Sequence, residues 1–308
     1  MAFSRRHFLG AAAAATLPWS RLAAGADSRF AVTLGYAAIT WGEDTEQAVA
    51  DVAAVGFKGI QLRARDLTKV GDKEALKGLL DKHGLELTCF SSGNLANALL
   101  PDKRNETMET HAANARLVKA LGGRFMQVTA GRPADYKATP EDFAVMGAFM
   151  SELGQRAMES GVRVVYHHHM DDIGEAPDDV ARLLDRTECR HVDLLLDIAH
   201  YTQGGGDPVK AVTRHRDRLA LVHLKDVKDM KPVVDAKTGK PGKPYQFVEL
   251  GRGRVDVKGV LAALKTVEFR GPLVVELDSV PDKETGRTAR QCAEVNKKYV
   301  VETLGLAL

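Results

Sequence analysis

Short runs dominated by Val, Leu, Ile and Phe recur along the chain at 32–39, 59–62, 86–90, 125–129, 162–166, 192–196, 219–223 and 273–277. Their length and β-branched content read as strands buried on both faces. Between them, apolar positions recur every three to four residues, the spacing of a helix with one buried stripe. These stretches cover 46–55, 73–83, 108–121, 141–160, 178–186, 209–214 and 257–267, and a last helix spans 287–303. Gly56, Gly84, Gly122, Gly161 and Gly271 each stand between a helix and the next strand, where a left-handed stop is expected. Eight strands alternating with eight helices over ~250 residues predict an α/β fold, a single-domain (β/α)8 TIM barrel. A doubly wound sheet is the alternative. It lacks support, because no Gly-x-Gly-x-x-Gly follows the first strand to hold a dinucleotide.

The barrel prediction gives the polar residues at the strand ends a common address. In a parallel barrel every strand opens its C-terminal end onto the same face. His167 and His169 follow strand five, Asp197 and His200 strand six, His223 and Lys225 strand seven, and Glu276 and Asp278 strand eight. Imidazoles mixed with carboxylates suit a borderline divalent ion better than an all-oxygen calcium cage. Mn or Co is expected, with Fe, Mg or Zn as alternatives. Each residue also has a plainer reading. Asp197 could cap a helix, and His223 could be a hydrogen-bonded core histidine. Glu276 follows an apolar run and would be costly to bury unpaired. His168 should alternate away from its inward neighbours. Lys225 either faces the substrate or pairs with Asp226. Trp41 offers an apolar face to a sugar ring or belongs to the core. Arg252 and Arg254 reach the pocket or stay in solvent.

The sequence Asp197-Ile198-Ala199-His200, then His223 and Glu276, resembles the xylose-isomerase-like barrel superfamily of sugar isomerases and epimerases. The strings Ile39-Thr40-Trp41-Gly42-Glu43-Asp44, Tyr166-His167-His168-His169-Met170, His223-Leu224-Lys225-Asp226-Val227 and Val274-Val275-Glu276 are further similar to the inosose dehydratases, which eliminate water from a keto-inositol with a divalent metal. The resemblance implies metal ligation by Asp197, His223 and Glu276, with a fourth ligand from the strand-five region. That family usually supplies a glutamate there. Here His167 ends the strand, so Glu175, beyond the loop 170–174, is taken as the fourth ligand and His167 faces the substrate. The expected chemistry is removal of a proton α to a carbonyl by Glu276, His167 or His169, through an enediolate held by the cation. Isomerisation, epimerisation or loss of a β-oxygen follows, with His200 or a strand-five histidine as proton donor.

Composition narrows the setting. Ser4-Arg5-Arg6-His7-Phe8-Leu9, an apolar run at 8–19 and Ala24-Gly25-Ala26 form a twin-arginine export pattern. A dozen apolar residues fall short of the ~20 that span a bilayer, so residues 1–26 are expected to be a cleaved signal rather than a stable membrane anchor. Residues 27–308 are then the barrel, working in the periplasm. Export sits awkwardly with a strictly cytoplasmic inositol substrate, so an oxidised sugar or keto-glycoside is the expected alternative. Without the first 26 residues, 40 basic residues face 41 acidic ones, which gives no electrostatic footprint for nucleic acid. Cys89, Cys189 and Cys292 form no Cys-x-x-Cys pair. Two rival functions remain: an abasic-DNA endonuclease on the same barrel, and a sugar-binding or accessory protein on an inactive one. The Lys-, Gly- and Pro-rich stretch 228–245 is a lid, an oligomer contact or a solvated insertion, and pairing of the barrel with a second copy is left open.

Overall fold

Eight of the apolar runs close into a ring. The computed structural model describes residues 29–232, 242–278 and 285–308. Its strands are β1 Ala31–Ala37, β2 Gly59–Arg63, β3 Glu86–Asn94, β4 Phe125–Thr129, β5 Arg163–His167, β6 Val192–Asp197, β7 Leu219–Leu224, β8 Asp226–Asp229, β9 Tyr245–Val248 and β10 Arg270–Val275. The barrel runs β1-β10-β7-β6-β5-β4-β3-β2, every neighbour parallel, and β8 and β9 form a separate antiparallel hairpin. The helices are α1 Thr45–Val55, α2 Ala64–Val70, α3 Lys73–His83, α4 Arg104–Ala120, α5 Pro140–Glu159, α6 Pro177–Asp185, α7 Ile198–Gln203, α8 Pro208–Arg214, α9 Val257–Thr266 and α10 Ala289–Lys298. Short polar side chains start them. Asp44, Asp72, Asp207 and Asp256 each accept a first-turn N–H, and Thr288 and Gln291 form a reciprocal capping box.

The larger apolar core lies between the strands and the surrounding helices, whereas Ala37, Cys89, Val165, Leu195, Leu221 and Val274 meet inside the ring. Side chains alternate along a strand, so the next inward residue stands two positions on, one layer nearer the C-terminal mouth. That residue is His167 after Val165, Asp197 after Leu195, His223 after Leu221 and Glu276 after Val274. The mouth is polar because the pattern changes chemistry while keeping its period.

Gly56, Gly84, Gly122 and Gly161 do stop their helices with positive φ. Gly271 does not. It lies within β10 opposite Val32, where a Cβ would come within 2.5 Å of the Ala220 carbonyl, and the turn after α9 places Glu268 at φ 56° instead. Two helices escape the sequence pattern, α2 and α7, short segments that follow directly on β2 and β6. The stretch 228–245 begins and ends in the β8–β9 hairpin, and residues 233–241 lie outside the described residues, as does the twin-arginine segment 1–26. No described helix is long and apolar enough to cross a membrane.

Candidate metal centre

His167, Asp197, His223 and Glu276 each offer one donor atom within 4.8 Å of all the others, and all four residues are buried. Asp197 serves two structures at once. Its Oδ1 accepts the Ala199 and His200 N–H groups at 2.9 and 2.8 Å, capping α7, while Oδ2 faces the cluster with no hydrogen-bond partner. The cap and the metal reading are therefore compatible. His223 Nδ1 lies 3.4 Å from Asp197 Oδ2 and 3.5 Å from Glu276 Oε2, and it too lacks a hydrogen-bond partner, as does His167 Nδ1. His168 alternates outward as expected: its Nε2 accepts the Asp197 N–H at 3.3 Å and its ring meets Tyr201 edge-on.

Lys225 is buried among these groups, its Nζ 2.9 Å from both Glu276 Oε1 and Asp278 Oδ2, 3.7 Å from Asp197 Oδ2 and 3.3 Å from His200 Nε2. The Phe247 ring of β9 lies beneath the ammonium, 4.2 Å away. Asp226 points the other way and accepts the N–H groups of Val227, Gly251, Gly253 and Val255, so Lys225 does not pair with it.

Electrostatics follow from this packing. Burial alone would raise the Asp197 carboxyl, but the Lys225 ammonium beside it leads the groups that outweigh burial and hold it well below the usual carboxylate range. Glu276 behaves alike: burial opposes ionisation, and His223 and Lys225 overcome it. Burial raises Asp278 despite Lys225 beside it. For Lys225, burial is overcome by Asp278, Glu276 and Asp197, which raise its pKa. Burial, then His223, keeps His167 neutral, and burial with Lys225 does the same for His200. Two ionised carboxylates thus share one buried cation, with unpartnered nitrogen and oxygen lone pairs turned together. Such a surplus of buried negative charge is costly unless a cation balances it, and the donor set fits a divalent ion of the Mn, Fe, Co or Zn kind.

Beside the cluster opens a cavity of about 400 Å³, within the range of small-molecule sites. His167, His169, Glu276 and Asp278 form part of its wall, and Gln61, Arg63, Asn94 and Gln127 line it from β2, β3 and β4, with Arg132 from the loop after β4. His169 donates Nδ1–H to the Met170 carbonyl at 2.7 Å, which leaves Nε2 as its basic nitrogen.

Other expected residues lie elsewhere. Glu175 is outside the cluster, its carboxylate accepting the Asp171 N–H at 2.7 Å, and His167 takes the fourth position. The loop 170–174 carries Glu175 back to its own start instead of over the cluster. His200 is buried against His169, ring centroids 4.1 Å apart, and is not part of the cavity wall. Trp41 donates to Asp51 Oδ2 at 2.8 Å and packs edge-on against Tyr36, away from the cavity wall. Arg252 pairs with Glu249, and Arg254 with Asp229 and Gln203. The wall from β2 to β4 was missed in the sequence, and its inward parity was the available signal. Among the described residues there is one such His/Asp/Glu cluster, and the ends of β2 to β4 add no His or acid to it, as a three-metal nuclease site would require.

Known proteins resemble this chain over nearly its whole length. The rhizopine catabolism protein MocC of Rhizobium meliloti is 28% identical over 309 residues, covering 92% of this chain and 93% of that one. An inosose dehydratase of Geobacillus thermodenitrificans is 28% identical over 305 residues, covering 89% and 98%. Among solved structures, IolI protein with a bound zinc atom superposes with a TM-score of 0.72 at 17% identity, covering 89% and 98%. Residues 49–298 match the model of a single family. The chain belongs to the xylose isomerase-like TIM barrel family.

Proposed function

We propose that this protein is a divalent-metal-dependent enzyme that removes the proton α to the carbonyl of a keto-sugar, keto-inositol or keto-glycoside, and then eliminates a β-oxygen or returns the proton elsewhere. The observation that carries the reading is the convergence of His167, Asp197, His223 and Glu276 on one buried point beside an open polar cavity. The relatives named for inosose breakdown and rhizopine catabolism support the substrate class.

An ion held by the four residues would supply Lewis acidity for a carbonyl and its adjacent hydroxyl. The rest of the chemistry belongs to the side chains. Glu276 is engaged at both oxygens, by Lys225 and by the Gln61 amide, and its lowered pKa suits a ligand better than a base. His169 is the better base, with Nε2 free of the Met170 bond on a ring that forms part of the cavity wall. It takes the α-proton while the electron pair moves into the carbonyl as an enediolate. In a lyase that pair re-forms the carbonyl, the β C–O bond breaks, a C=C bond forms, and the departing oxygen takes up a proton. In an isomerase or epimerase the proton returns to carbon. Lys225 and His200 fix the carboxylates from behind. Export through the twin-arginine pathway belongs to the same proposal and rests on the Arg5-Arg6 pattern.

Metal analysis of the purified protein, then incubation with a keto-inositol and 3-keto-glucosides, tests the reading. About one ion per chain and the appearance of an enone, a rearranged sugar or a released aglycone are expected. No bound ion, or no turnover on any keto-sugar, overturns it.

A further inference from the structure

The side chain that completes the cluster carries no charge. Gln61 stands on β2, two strands from β10 and three from β7 on the far side of β1, and reaches across the lumen to Glu276 and His223. It is buried, 3% exposed, and its Nε2 lies 3.1 Å from Glu276 Oε2 while its Oε1 lies 2.8 Å from His223 Nε2.

For a neutral His223 ring these two contacts admit one arrangement of protons. A carboxylate oxygen held on its other side by the Lys225 ammonium accepts, so the amide NH2 must face Glu276. The amide oxygen then faces His223 and can only accept, so His223 must carry its proton on Nε2. Its Nδ1 is left with a lone pair, at 3.4 and 3.5 Å from the two carboxylates. The opposite tautomer would put N–H on Nδ1 and bond it to Asp197 or Glu276, closing the cluster on itself. We infer that Gln61 is a positioning residue that selects the metal-binding tautomer of His223 and orients Glu276, so that the cluster stays open to a cation. The inference rests on reading the cluster as a metal centre.

The tautomer is read directly from two-bond 15N–1H correlations of His223 in metal-free protein, and the site from Co²⁺ titration followed by visible absorption. In the unsubstituted chain, His223 is expected as the Nε2–H form. Gln61→Met keeps the volume and loses both hydrogen bonds. It should shift His223 toward Nδ1–H, weaken Co²⁺ by roughly 10–100-fold, the usual cost of removing a partner behind a ligand, and alter the absorption envelope. Gln61→Glu keeps an acceptor for His223 but cannot donate to Glu276. It should preserve the tautomer while still weakening the ion, and it serves also if the Met variant does not fold. An Nδ1–H form in the unsubstituted protein, or Co²⁺ affinity and spectrum unchanged in both variants, overturns the inference. Failure of the unsubstituted protein to bind Co²⁺ overturns the metal-centre reading instead, with the NMR result still deciding the tautomer.

Discussion

Lys225 acts on its neighbours through charge and does not line the cavity wall. It is 1% exposed and balances Glu276, Asp278 and Asp197. Removing one member of a buried charge group costs about 3–5 kcal/mol, because the others are left uncompensated. Lys225→Met is therefore expected to lower the stability of metal-free protein by about that much, and by less in metal-loaded protein, as denaturant melts with and without Zn²⁺ would show. His169→Gln separates the proposed base from the ligands. It should retain bound metal and lose ~10²–10⁴-fold in kcat, the usual worth of a positioned base; an unchanged kcat would return the proton transfer to another group. At this scale the sequence was half legible. Asp197, His223 and Glu276 stand out because charged or imidazole side chains end apolar strands. Gln61 does not, because an uncharged amide inside an apolar run gives no such contrast and its meaning depends on His223, 162 positions away. Glu175 misled because an acid near a strand end looks like a ligand until the loop turns it toward Asp171.

Single elements are joined by buried polar pairs as well as by apolar packing. β3 is tied to α4 by Ser92, whose hydroxyl accepts from Asn114 at 2.9 Å and shares a hydrogen bond with His111 Nδ1 at 2.5 Å. Burial lowers His111 to about 4. An unfolded chain takes up this proton near 6.5, so below that value protonation favours the unfolded state. The stability is complete above about pH 6.5 and is lost as the pH falls toward 4, by up to ~1.4 kcal/mol per unit for this histidine. Urea melts at pH 7.5 and 5.0 should show the loss, and His111→Gln should flatten the dependence. The helices and strands were readable from period alone wherever they were long. α2 and α7 were not, since each short helix starts on the residue after a strand, with no loop to mark its beginning.

The whole molecule sets the geometry that no segment holds. Parallel closure aligns Asp197 of β6 directly with His223 of β7 in register, and places Val274, two positions before Glu276, against His223 on the other side. An ion held by the four residues would couple metal and fold. A ligand that binds only the folded chain stabilises it by about 4 kcal/mol at a thousandfold excess over its dissociation constant. Chelation should accordingly lower the melting temperature measurably, and adding back Mn²⁺, Co²⁺ or Zn²⁺ should restore it; melting indifferent to chelator would mean that no ion contributes. The barrel itself was legible because eight apolar runs with helical spacers admit few topologies. The β8–β9 hairpin was not, since its pairing is local to a stretch whose composition reads as loop.

β10 closes the ring against β1 and is also the strand that leads into Glu276. During synthesis the final donor therefore arrives together with the seam that seals the barrel, some 240 residues after β1 began. A truncated or stalled chain has neither. Binding of an ion there would thus require the finished ring, and a chain whose first and last strands had not yet met would lack the site.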